Sequence, residues 1–549
     1  MVASNEDNEP DAIEHATGAR TAGAENGALS GAIPPTEIER ETSTTAEAGA
    51  DDEKRRPRRR VLQVLAKWGP WRRFAWYLKT QREERQGVWR ERDSEENERG
   101  RLPPTESVQL PAIWVAELYT PSSVEGLFRG ISNLGWEHGR SRDDSLLKWM
   151  SEVRQGRRAG WISLGLVSPP SRVHFMSERT AVLPEGVDAA LPILISMTPS
   201  ITALVTAFIL DDQAAASVDK PLRAEYATRS TRSPLFRRRD LLFHILFGAP
   251  VRLARHIYDP DLQRREVVRT CLAELERACT HWVRQNLPGV FASGIRSGAF
   301  PTALILVTEV AAPVTEEARS IRAFDGLAIN RDYDTWGSEE WPGARLVLPR
   351  SWDEEGLRLT FACRRRDAFP ERPGYPDPES NWTIAQRADD LIHGLLSRWA
   401  LSGILDGYHE LLSELRDRLA GTQTHRPVQD LKALRLLVRT KLFDIVASSH
   451  DIEEFASEQW RYRHDVLEMK YARSSEPEQT NLLDTLTREQ HRRCEQVRRD
   501  AELLRTILSV TVGASQAIAS VRIQLLAIVL SILSTGIAVA AFIVSTRRP

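Results

Sequence analysis

Cys271, Cys279 and His281 are the three side chains of the chain that most invite a metal reading. At about 100° per residue, a helix through them turns Cys279 roughly 80° to one side of Cys271 and His281 roughly 80° to the other. The three fan out, no Cys-x2-Cys pair accompanies them, and a fourth ligand is missing. They read as small core thiols beside a satisfied histidine, and no metal is assigned. His244 and His256 sit in apolar, helix-patterned stretches and read as structural. Asp325, Asp332 and Asp334 cluster in DGLAINRDYD, where paired carboxylates could bind a metal or serve as acid and base. In so polar a loop they read first as solvated turn residues. GxGxxG, GxxxxGK, GxSxG and HExxH are all absent, so the common nucleotide, hydrolase and metalloprotease strings fail. No catalytic residue and no cofactor is named. An enzyme with a site assembled from distant residues stays as one alternative.

Composition narrows the class. The 549 residues carry 74 basic and 76 acidic side chains, which excludes a dedicated nucleic-acid coat, and no nucleic-acid partner is expected. Four cysteines exclude a disulfide scaffold and suit a reducing compartment. Only eight of the basic residues are lysine, a bias associated with GC-rich bacterial genomes. The length suggests two to four structural units.

Stepping along the chain, residues 1–53 hold thirteen acidic residues and no aromatic one. Such a segment cannot bury enough apolar surface to offset its chain entropy and is expected to be disordered. It lacks the pattern of a secretory signal, so a cytoplasmic body is expected. Residues 54–105 open with KRRPRRR and continue with Leu62, Leu65, Trp68, Phe74, Tyr77 and Leu78 at helical spacing. A basic, tryptophan-rich helix over 54–90 could dock on the body or lie on a membrane surface.

Residues 106–364 mix strands and helices without a strict βαβ rhythm, which predicts an α+β domain. Strands are expected at 112–120, 160–167, 303–310, 344–349 and 357–363. Helices are expected after Ser122 or Ser123 as N-cap, at 145–153, at 241–257 and at 261–287. Leu191 to Leu210 is uncharged over twenty residues. Its Thr-Pro-Ser break and alternation favour two buried strands, with a second membrane span as the other reading. Residues 365–381 read as a linker. Residues 382–522 read as an α-helical bundle and stalk, with helices at 391–419, 431–445 and 455–471 and a last one starting near Ser475.

The end of the chain carries the strongest pattern. Leu525 to Val544 is twenty residues without a charge, about 30 Å of helix, matching the hydrocarbon thickness of a bilayer. Residues 523–545 are therefore expected to form a single transmembrane helix contacting lipid. Ile507, Thr511, Ala514, Ile518, Val521, Leu525, Ile528, Ile532, Thr535, Val539 and Phe542 alternate at four and three residues, a heptad seam. With the small residues Ala527, Ser531, Thr535, Gly536 and Ala540, it predicts a homo-oligomer.

The long helix of Ser475–Arg522 running into Leu525–Val544 gives residues 380–549 a layout that resembles CorA-type magnesium channels. The resemblance implies an oligomeric ion channel or transporter. That family has two membrane helices and a Gly-Met-Asn loop; no Gly-Met-Asn follows Leu525 here, and no functional residue is carried over. The leading expectation is a tail-anchored bacterial protein of the inner (cytoplasmic) membrane, single-pass, with a cytoplasmic scaffold, sensor or effector body that is not an enzyme. The alternatives are the CorA-like channel and an enzyme in the mixed domain.

Overall fold

The computed structural model describes residues 90–137, 145–172, 177–232, 255–294, 299–327, 329, 335–348, 357–369, 377, 379–421, 427–458, 465–472 and 480–546. Segment 1–53, most of the tryptophan-rich segment 54–90, His244, Asp332 and Asp334 lie outside these residues.

The strands are β1 (Val108–Gln109), β2 (Ala112–Tyr119), β3 (Gly160–Ser163), β4 (Val167–Ser168), β5 (Arg179–Thr180), β6 (Val187–Ser196), β7 (Thr202–Leu210), β8 (Arg229–Arg232), β9 (Arg255–Tyr258), β10 (Thr302–Thr308), β11 (Thr335–Gly337), β12 (Ala344–Val347), β13 (Arg358–Arg364) and β14 (Lys470–Tyr471). The larger helices are α1 (Val124–Asn133), α2 (Leu146–Arg154), α3 (Pro260–Asn286), α4 (Asn381–Gly421), α5 (Pro427–Ser457) and α6 (Leu482–Thr546).

Twelve strands form one mixed sheet in the order β14-β11-β12-β13-β10-β2-β7-β6-β4-β5, with β1 on β10 and β3 on β6. Most neighbours are antiparallel, while β10–β13 and β4–β5 are parallel. β8 and β9 make a separate antiparallel pair.

The twenty uncharged residues from Leu191 to Leu210 are β6, a turn and β7, paired antiparallel. Every residue of β2, β7 and β10 is buried. Burial on both faces explains the unbroken apolar runs. Ile113 of β2 stands opposite Phe208 of β7, and Trp114 opposite Ala207, so the two pairs point to opposite faces. Phe208 packs edge-on against Trp282 of α3 at 5.6 Å. The Trp114 indole donates to Asp389 of α4 at 2.8 Å. Helices α3 and α4 therefore cover the two faces of the central strands.

α3 starts as its sequence dictates: the Asp259 carboxylate accepts from the Leu262 N–H at 2.7 Å, and Pro260 follows at the first helical position. The start of α1 differs in detail. Ser123 occupies the N-cap position, but its hydroxyl accepts from the Thr120 N–H at 2.8 Å rather than from the helix.

Two expected helices are corrected. Within 241–257, residues 255–257 belong to strand β9; the rest lies outside the described residues. The expected helix at 455–471 is not seen among the described residues: α5 runs through to Ser457, residues 465–469 belong to no helix, and 470–471 are strand β14, while 459–464 lie outside the described residues. Leu467 and Met469 bury alternate side chains, a period of two. Tyr471 pairs with Trp336 across β14 and β11, ring centroids 5.4 Å apart. These tertiary contacts outweigh local helix propensity.

Helix α6 packs its first half against α4 and α5. Its buried positions Gln490, Cys494, Val497, Ala501 and Leu504 recur at four and three residues. Gln490 donates to the Arg398 carbonyl and to the Ser402 hydroxyl, both at 3.0 Å. His409 of α4 pairs with Asp500 at 2.9 Å, and Arg493 with Asp406 at 2.5 Å.

Candidate functional site

Among the described residues, one helix segment is long and apolar enough to cross a membrane: Ile523–Ala541, nineteen residues of α6, none of it buried inside the protein. It is continuous with the part of α6 that packs on α4 and α5.

The sheet region carries an open groove of about 710 Å³, lined by Trp149, Gly156 to Trp161 and Asp465. Its shape follows from the end of α2. The Arg157 N–H bonds to the Glu152 carbonyl and the Gly156 N–H to the Val153 carbonyl, both at 2.9 Å. This pair of bonds closes a helix on a left-handed residue, and Gly156 has φ +68°. Gly160, at φ +108°, then turns the chain into β3. Between the two glycines the chain projects Arg157 and Arg158. Trp149 is nearly buried, whereas Trp161 is 57% exposed.

Trp161 leans on His393 of α4, ring centroids 6.3 Å apart. The His393 Nδ1 lies 2.6 Å from the Asp389 carbonyl oxygen. A carbonyl only accepts, so Nδ1 carries the proton and Nε2 keeps its lone pair. Burial holds His393 below its ordinary range. Burial likewise pushes the Asp389 carboxyl up to about 7, although the Trp114 indole N–H works against it. The groove thus combines two guanidinium groups, one of them 3.6 Å from Glu152, with the Asp465 carboxylate, an exposed indole and the His393 imidazole behind it. That set suits an anionic ligand with an apolar or planar part.

Two other buried carboxylates hold the fold. Glu117 accepts from the Leu118, Phe291 and Ala292 N–H groups at 2.8–2.9 Å. Burial pushes it up to about 7 against these bonds. A Cβ at Gly289 would stand 2.7 Å from the Glu117 Cγ, so the loop after α3 needs glycine there. Asp444 of α5 takes the Thr120 hydroxyl at 2.5 Å, the Ser122 hydroxyl at 2.9 Å and the Ser122 N–H at 3.2 Å. Asp451, two turns further along α5, takes the Ser200 N–H at 3.2 Å.

Among the described residues, those singled out from sequence do not converge. Cys279 is buried, with its thiol pushed up by burial, Cys271 is half-buried and His281 is exposed on α3. Among the described residues no group of three His, Cys, Asp or Glu side chains could hold a metal. Asp325 pairs with Arg265 at 2.7 Å. His256 lies in β9. The groove residues were not singled out: only the two glycines flanking Arg157, Arg158 and Ala159 mark the spot locally. No protein-family model matches the chain, and no curated protein matches it.

Proposed function

We propose that the chain is a single-pass membrane protein that holds its α/β region and packed helices at the cytoplasmic face of a bacterial inner membrane, where they receive a protein partner as a scaffold, sensor or effector. The observation that carries this reading is the continuity of α6: one 65-residue helix is packed on the body at one end and presents an unburied nineteen-residue apolar segment at the other. A soluble protein has no reason to leave such a segment uncovered. Four free thiols, at Cys271, Cys279, Cys363 and Cys494, favour a reducing compartment for the body. Fractionation of cells expressing the full chain, or the chain cut before Ile523, tests the reading. The full chain is expected in the membrane pellet, resisting salt and alkaline washes, and the shortened chain in the supernatant. A full chain that stays soluble at low salt without detergent overturns it.

A further inference from the structure

The sheet has a gap in its edge at the groove. β3 and β4 lie one after the other along β6. The outer edge of β4 is covered by β5, but β3 has no second partner strand among the described residues. The Leu164 N–H donates to the Pro192 carbonyl at 2.9 Å, which fixes the phase of the ladder. Alternate residues of an antiparallel strand face the partner, so Gly160 and Ile162 turn their main-chain groups toward β6, and Trp161 and Ser163 turn theirs away. Such an edge is a template for another strand. Trp161 and Ser163 are both exposed.

The charge beside this edge has one sign in excess. Arg157 makes no ion pair among the described residues, and Arg158 reaches Glu152 only at 3.6 Å. Lys148 on the preceding helix adds a third exposed cation, Arg154 is turned away and donates to the Ser200 carbonyl, and the acidic residues nearby are Glu152 and Asp465. We propose that the open edge of β3 takes up an extended, acidic peptide segment of a partner protein as an added strand, its carboxylates beside Arg157 and Arg158 and an apolar side chain on Trp161. Main-chain bonds to Trp161 and Ser163 supply affinity for any extended chain, and the arginines select acidic ones. The proposal rests on the partner-receiving role above and names the chemistry of that partner.

The test is fluorescence anisotropy with the full-length protein in detergent micelles and a labelled short peptide of alternating glutamate and valine. Saturable binding is expected. Methylating alternate peptide nitrogens, which removes the ladder donors but keeps the charge, is expected to weaken it at least about tenfold. A lysine–valine peptide is expected not to bind, and R157E/R158E to weaken the acidic peptide by about tenfold or more. Equal binding of the methylated or the basic peptide, unchanged binding by R157E/R158E, displacement by inorganic phosphate alone, or no saturation by about 1 mM peptide each overturns the proposal. The methylated and basic peptides are tested on the unaltered protein, so those results do not depend on whether R157E/R158E folds. Because the titration is done in micelles, its result is separate from that of the fractionation: a soluble full chain removes the tether and leaves the edge site standing.

Discussion

Asp389 illustrates how a single buried group makes stability depend on pH. Its carboxyl sits between α4 and the sheet with the Trp114 indole N–H as the hydrogen bond described for it, and burial raises it to about 7. The folded protein therefore favours the protonated form, while the unfolded chain ionises near the ordinary carboxyl value of about 4. The stability tied to Asp389 is fully present below that value and is lost as pH rises through about 7. Glu117 is raised to the same range, so its contribution is lost over the same window. Asp389→Asn keeps the shape and the bond to Trp114 but cannot ionise. Its thermal midpoint is expected to gain on the parent's as pH rises, the two being nearest at pH 4 and the variant ahead at pH 8 by the equivalent of about 2–4 kcal/mol more. A variant less stable than the parent at both pH values would show that the carboxylate itself is needed. His393, one helical turn on, reaches the groove through Trp161, so the groove stands next to a pH-sensitive part of α4.

At the scale of elements, α5 is held to the sheet region by two of its carboxylates, Asp444 and Asp451. Asp444 satisfies a main-chain N–H and two hydroxyls at the turn between β2 and α1, and Asp451 an N–H at the turn between β6 and β7. Asp444→Ala would take the main acceptor from the buried Thr120 hydroxyl and from the Ser122 groups, at a cost of about 1–3 kcal/mol, whereas the exposed His450→Ala on the same helix should stay within about 0.5 kcal/mol. Urea unfolding of the two full-length variants in detergent checks this; equal midpoints would mean water replaces the carboxylate at no cost. The elements themselves were largely legible in sequence: 112–120, 191–210, 261–287 and the helix into the apolar run all follow from apolar period and breakers. The segment 465–471 was not, because its alternation spans only Leu467 and Met469 and its partner strand lies more than a hundred residues away. The groove was illegible for a related reason. Trp149, Arg157 and Arg158 are neighbours in sequence, but Asp465 and His393 arrive from the helical part of the chain, and an exposed tryptophan has no pattern that separates it from a buried one. Its one local trace is Gly-Arg-Arg-Ala-Gly, whose glycines have positive φ.

At the largest scale described, α6 is the longest element of the protein. Its 65 residues extend about 100 Å, and among the described side chains its buried stripe against α4 and α5 runs to Ile507. The buried stripe Cys494, Val497, Ala501, Leu504 continues into Ile507, which is partly buried beside Leu412 and Leu503. Ile507 also begins the seam that runs by fours and threes through Thr511, Ala514, Ile518 and Val521 into the apolar segment. Val521, past the end of this packing, is 54% exposed. If this stripe is not covered within the chain, burying it against a second α6 would gain a few kcal/mol per chain at about 25 cal/mol per Å². In lipid there would be no hydrophobic gain for helix pairing, so pairing of the apolar segment would need close approach, which Ser531, Thr535, Gly536 and Ala540 permit. The expected state is a homo-oligomer joined along this seam. Ile518→Glu places a charge on the seam and Ser520→Glu places the same charge about 200° around the helix, so the first should weaken crosslinking in native membranes several-fold and the second little. A monomer ladder for the parent, or equal loss in both variants, would instead assign the stripe to packing within one chain.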